Sequence, residues 1–121
     1  MATQVINHTS ERFRRFYDSF EKLILEVDGG KKHTDAELLK HPYCDYLKTT
    51  YRSSVNTVWT SPRWKNYLLK KIKDGINLYH DIEANGMKNP IEVRTYRGKT
   101  AIVRGNRRFV IAKVLGICVK Q

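Results

Sequence analysis

The chain predicts an α+β fold, on three observations. Apolar residues recur at helical spacing through the first two thirds of the sequence. The pattern then switches to strict alternation over Pro90-Ile91-Glu92-Val93-Arg94-Thr95-Tyr96. A glycine-arginine turn, Arg104-Gly105-Asn106-Arg107-Arg108, joins a second strand-like run, Thr100–Val103, to an apolar helix-like stretch, Phe109–Leu115. Periods of 3.6 and of 2 distinguish these two kinds of element. The expected order is an all-helical first half followed by a helix–hairpin–helix–strand unit.

Residues 1–9 read as a loose tail. From Ser10, a candidate cap, Phe13, Phe16, Tyr17, Phe20, Leu23, Ile24 and Val27 lay one wide apolar face on a helix that Asp28-Gly29-Gly30 ends. Thr34-Asp35-Ala36-Glu37 has the form of a capping box before Leu38 and Leu39. Pro42 suits the first position of a third helix through Tyr43, Tyr46 and Leu47, whose aromatic residues are expected in core or interface. Residues 50–62 are polar and irregular. Ser61-Pro62 then opens a long helical region with Trp64, Leu68, Leu69, Ile72, Ile76, Tyr79 and Ile82 on its apolar side. Asp74-Gly75 is a candidate break within it, and Asn85-Gly86 suits a left-handed cap. Arg97-Gly98-Lys99 fits a hairpin turn, Gly116 a helix stop, and Ile117-Cys118-Val119 a last short strand.

The 121 residues suffice for one domain, with 40% apolar and 29% charged side chains. No run is long and apolar enough to span a bilayer, no signal-peptide stretch opens the chain, and a cytoplasmic protein with no membrane role is expected. Cys44 and Cys118 lack metal-ligand spacing and read as reduced, packed thiols. The net charge of +11 is uneven: residues 1–60 hold nine Lys/Arg against eight Asp/Glu, residues 61–121 fourteen against four. A basic half of that kind attracts polyanions, DNA and nucleotides among them.

The glycine-arginine turn lies within this basic half. A turn feeding a helix start leaves backbone N–H groups unpaired at the positive end of the helix dipole. Two arginines there are electrostatically unfavourable until an anion arrives, and guanidinium forks suit phosphate oxygens. The alternative is a pair of solvated surface arginines.

Ser61-Pro62-Arg63, a helix ending Asp81-Ile82-Glu83-Ala84-Asn85-Gly86, the extended Asn89-Pro90-Ile91-Glu92-Val93 and the turn Gly105-Asn106-Arg107-Arg108, followed by Ala112 and Gly116, occur in ordered spacing. In this order they resemble the ParB/sulfiredoxin superfamily. The resemblance implies a small mixed sheet with flanking helices over residues 59–121, and makes residues 1–58 a helical N-terminal extension. It implies a bound nucleoside triphosphate, CTP or ATP, with or without Mg²⁺, and an association with DNA. Carried over, Gly105, Asn106, Arg107 and Arg108 would cradle phosphates, with Arg104 beside them. Arg63 would approach the phosphates or base, and Asn89 and Pro90 would border the nucleoside. The turn has no cysteine, so sulfiredoxin chemistry is excluded, and the helical module that follows this domain in partition proteins is absent from the 121 residues.

A nuclease or NTPase is the alternative, with Glu92 and Asp81 as candidate catalytic carboxylates. The acidic residues of the basic half lack metal-site spacing, so no dedicated metal centre is expected there. His33 and His41 read as loop residues, and His80 as a surface or capping residue. A third alternative is a phage or mobile-element protein that blocks a partner. The aromatic first helix would serve that role or a homodimer interface.

Overall fold

The apolar stripe on the first helix organises the other elements. The computed structural model describes residues 11–50, 62–88, 91–96 and 99–117. Helix α1 runs Glu11–Asp28 and buries Phe16, Phe20, Leu23, Ile24 and Val27, the face its spacing predicts. It ends in a Schellman turn. Gly30, at φ +90°, donates to Val27, and Lys31 reaches back to the Glu26 carbonyl at 3.0 Å.

Helix α2, Asp35–Leu39, carries the predicted capping box. The Glu37 N–H donates to Thr34 Oγ1 at 3.2 Å, and the Thr34 N–H donates to Glu37 Oε1 at 2.8 Å. Helix α3, Pro42–Thr50, opens on its proline, and Tyr43, Cys44 and Leu47 face inward. Burial pushes the Cys44 thiol above its usual range. Cys118, like Ser10 and Ser61, lies outside the described residues.

Helix α4, Pro62–Asn85, is unbroken over 24 residues, so Asp74-Gly75 does not interrupt it. Gly75 serves packing instead. A Cβ there would lie 2.8 Å from Phe20 Cε1, so the missing side chain is what lets α1 and α4 approach so closely. Gly86, at φ +77°, ends the helix as expected.

Strands β1, Glu92–Tyr96, and β2, Lys99–Arg104, form an antiparallel hairpin with an irregularity between Glu92 and Val93. Helix α5, Asn106–Leu115, follows and stops at Gly116, φ +71°. Four consecutive residues of α5, Phe109, Val110, Ile111 and Ala112, are buried, so it packs on more than one side, chiefly against α1 and α4.

This architecture corrects the α+β expectation. The fold is all-α in its core, and the two-stranded hairpin is the sole sheet among the described residues. A mixed sheet needs a parallel third strand. At the predicted place, Ile117 donates its N–H to the Ala112 carbonyl at 2.9 Å, completing the cap of α5. Val119 lies outside the described residues. Two strands cannot enclose a core, so helix packing supplies it. One apolar cluster draws on Phe16 to Leu47 and on Leu68 to Ala112, from both sides of position 58. No described helix is long and apolar enough to cross a membrane.

Candidate functional site

Gly105 forms the N-cap of α5 in the left-handed conformation, φ +90°, and supplies no side-chain cap. The first intrahelical bond runs from the Phe109 N–H to the Gly105 carbonyl at 2.8 Å. The amides of Asn106, Arg107 and Arg108 therefore have no helical acceptor, which is the anion-binding arrangement of a helix start. These residues line a cleft of about 400 Å³. Gly105, Asn106, Arg107 and Arg108 form one wall of it. Lys71 and Leu78 come from α4, Phe16 from α1, and Tyr43, Tyr46, Leu47 and Thr50 from α3.

Among the described residues, three cations line this cleft and no carboxylate does. Among the described residues, no acidic group pairs with Lys71, Arg107 or Arg108. The Arg108 guanidinium folds back over the turn, so that a Cβ on Gly105 would stand 3.3 Å from its Nε. That Nε and Asn106 Oδ1 are buried and have no hydrogen-bond partner among the described residues. Such groups are costly to leave unsatisfied, by about 1–3 kcal/mol each, and their presence in a native site calls for a reason.

Aromatic residues also line the cleft. Tyr43 and Tyr46 stack with centroids 6.1 Å apart and planes 10° from parallel, and the Phe16 ring lies 5.7 Å from that of Tyr46. Aromatic rings and cations lining one cleft suit a planar group and an anion together.

Of the other predicted site residues, Arg63, Asp81 and Glu92 stand outside the cleft lining. Arg63 is exposed in the first turn of α4 and does not line the cleft. Arg104 ends β2, opposite Glu92 in the strand register. Asn89 and Pro90 lie outside the described residues, although the next residue, Ile91, is buried with Cγ1 against Gly105. Asp81 is exposed and accepts from Asn85 Nδ2 at 2.9 Å, and Glu92 is exposed on β1. Neither carboxylate lines the cleft. The aromatic face of α1, suited in sequence to a partner or a homodimer interface, gives Phe16 and Phe20 to the molecule's own core, with Phe13 and Tyr17 partly buried against it.

The sequence reading missed Lys71 and the tyrosine wall as site residues. Lys71 is three residues after Leu68 and four before Gly75, so it sits within the apolar side of α4; this was the available signal. A second group also escaped it. His33 Nε2 and His41 Nε2 lie 2.8 and 2.9 Å from the same atom, Glu26 Oε1. Burial alone would raise the Glu26 carboxyl, but the two histidine hydrogen bonds together hold it below its usual range. Burial lowers His41, against the pull of Glu26. His80 is exposed, as expected, with Nδ1 4.0 Å from Glu83.

Compared with protein-family models, curated proteins and solved structures, the chain matches none of them.

Proposed function

We propose that the protein binds a nucleoside triphosphate in the cleft beside Gly105, with its phosphates at the start of α5. The observation that carries this reading is that, among the described residues, two buried polar atoms without a partner, Arg108 Nε and Asn106 Oδ1, lie in a lining of three cations and no carboxylate. Oxygens of a polyphosphate would take the free amides and the guanidinium forks, and Asn106 Oδ1 would accept from a ligand hydroxyl or amine. The tyrosine wall suits a nucleobase, and the cleft volume falls within the range of small-ligand sites. Mg²⁺, where required, would travel with the nucleotide. The exposed cations Arg63, Lys65 and Lys70 on α4 and Arg94 on β1 extend the positive field outside the cleft and support an accompanying association with DNA.

Titration of ATP, CTP and GTP, with and without Mg²⁺, tests the reading. Saturable binding is expected, and Arg108→Ala should cost about 2 kcal/mol, some thirtyfold in affinity, with a similar loss for Arg107→Ala. Affinity unchanged in both variants would overturn the assignment. A nucleotide that binds without turnover would leave Glu92 and Asp81 with no part in nucleotide hydrolysis.

A further inference from the structure

We propose that Glu26, His33 and His41 form a binding site for a divalent transition metal of the Zn²⁺ class. The three residues come from different segments: the last turn of α1, the α1–α2 connection and the position just before α3. The histidine side chains are only 3% and 5% exposed, while the Glu26 carboxylate, at 22%, keeps a route to solvent. One ligand atom from each residue lies within 4.8 Å of the others.

Two imidazoles and a carboxylate make a borderline donor set, which favours zinc over magnesium or calcium. Tetrahedral coordination with bonds of about 2.0–2.2 Å needs ligand atoms roughly 3.3 Å apart. Both Nε2 atoms would therefore part from Glu26 Oε1 by about half an ångström, and the ion would replace two hydrogen bonds. A fourth position, toward solvent, would take water.

The proton balance sets the affinity. His41 Nδ1 accepts from the Tyr43 N–H at 3.1 Å, so this imidazole is neutral and carries its proton on Nε2. Coordination through Nε2 requires that proton to move to Nδ1. His33 Nδ1 has no partner among the described residues and can receive one. His41 must first give up its bond to Tyr43, so metal binding competes with the cap of α3. Lys31 beside Glu26 and Lys22 beside His41 also oppose a cation. These costs point to reversible binding in place of a permanent structural zinc.

The full chain, stripped with EDTA, is titrated with ZnCl₂ by calorimetry, with MgCl₂ as control, and its melting temperature is followed. One zinc equivalent and a higher melting temperature are expected, with no response to magnesium. Glu26→Gln keeps an oxygen acceptor for both histidines but removes the charge. It should melt near the wild type in EDTA and bind zinc at least about tenfold more weakly. Nitrogen-15 spectra of the wild type supply a second reading: zinc should shift the His33 and His41 ring nitrogens together with the Tyr43 amide. Zinc that leaves those signals unmoved, or binds Glu26→Gln with wild-type affinity, would overturn the site. If Glu26→Gln does not fold, the wild-type spectra alone decide.

Discussion

Gly75 shows how much one missing side chain can determine. Helix propensity alone favours alanine there by about 1 kcal/mol. The Phe20 ring opposes it, because a new methyl would sit 2.8 Å from Cε1 and Phe20 is fully buried in the core. Overpacking of this kind costs typically about 1–3 kcal/mol. Gly75→Ala is therefore expected to lower stability by about 1 kcal/mol net, read as a lower denaturant midpoint. Phe20→Leu in the same chain should recover part of the loss, as a double-mutant cycle would show. Gain of stability in the single variant would mean that the two helices have room to part. At this scale the sequence was only partly legible. Gly75 resembled a helix breaker because glycine signals flexibility locally, whereas its use depends on a ring 55 positions away.

Among the elements, those bounded by local chemistry were readable from the sequence. The Thr34–Glu37 box, Pro42, Gly86 and Gly116 each act within a few residues, and each is where the pattern put it. The hairpin was readable too, since alternation is itself a local signal. The sheet expected to grow from it was not, because a third strand depends on what the C-terminal backbone pairs with, and Ile117 pairs with α5. This contrast predicts an order of local opening. Hydrogen exchange should find the amides of Val110–Ala112 and of Phe20, Leu23 and Ile24 among the slowest, since these residues are fully buried at the centre. The β1–β2 amides should exchange earlier, as a two-stranded ribbon has little stability of its own. Hairpin amides as protected as those of α5 would mean that the ribbon belongs to the core.

Across the whole molecule, charge and titration bear on stability. The Tyr79 hydroxyl donates to Asp28 Oδ1 at 2.5 Å, with Glu83 Oε2 a further 3.1 Å contact, tying α4 to the end of α1. Burial, reinforced by these carboxylates, pushes the Tyr79 phenol far above its usual 10. Burial also raises Tyr17, helped by Glu21, to about 12. Above pH 10 the unfolded chain loses these protons while the folded chain keeps them, so stability falls as pH rises. Tyr79→Phe should cost about 1 kcal/mol at neutral pH and flatten the alkaline fall. Melting curves between pH 8 and 11 check both effects, and an equally steep decline in the variant would locate the responsible protons elsewhere. The candidate cleft was half visible at this scale. Its cationic wall is contiguous in sequence, whereas Lys71, Tyr43 and Tyr46 reach it only through the packing of α3 and α4.

Helix α5 couples that cleft to everything else. Its first turn meets the cleft, and its next four residues are wedged into the interior. A guest clasped at its mouth would thus brace the keystone of the arch, and the entire domain would have to release the guest before it could unravel. Thermal tolerance should then climb with the logarithm of guest concentration once the cleft fills. Heat becomes a sensor for occupancy even where no chemistry follows.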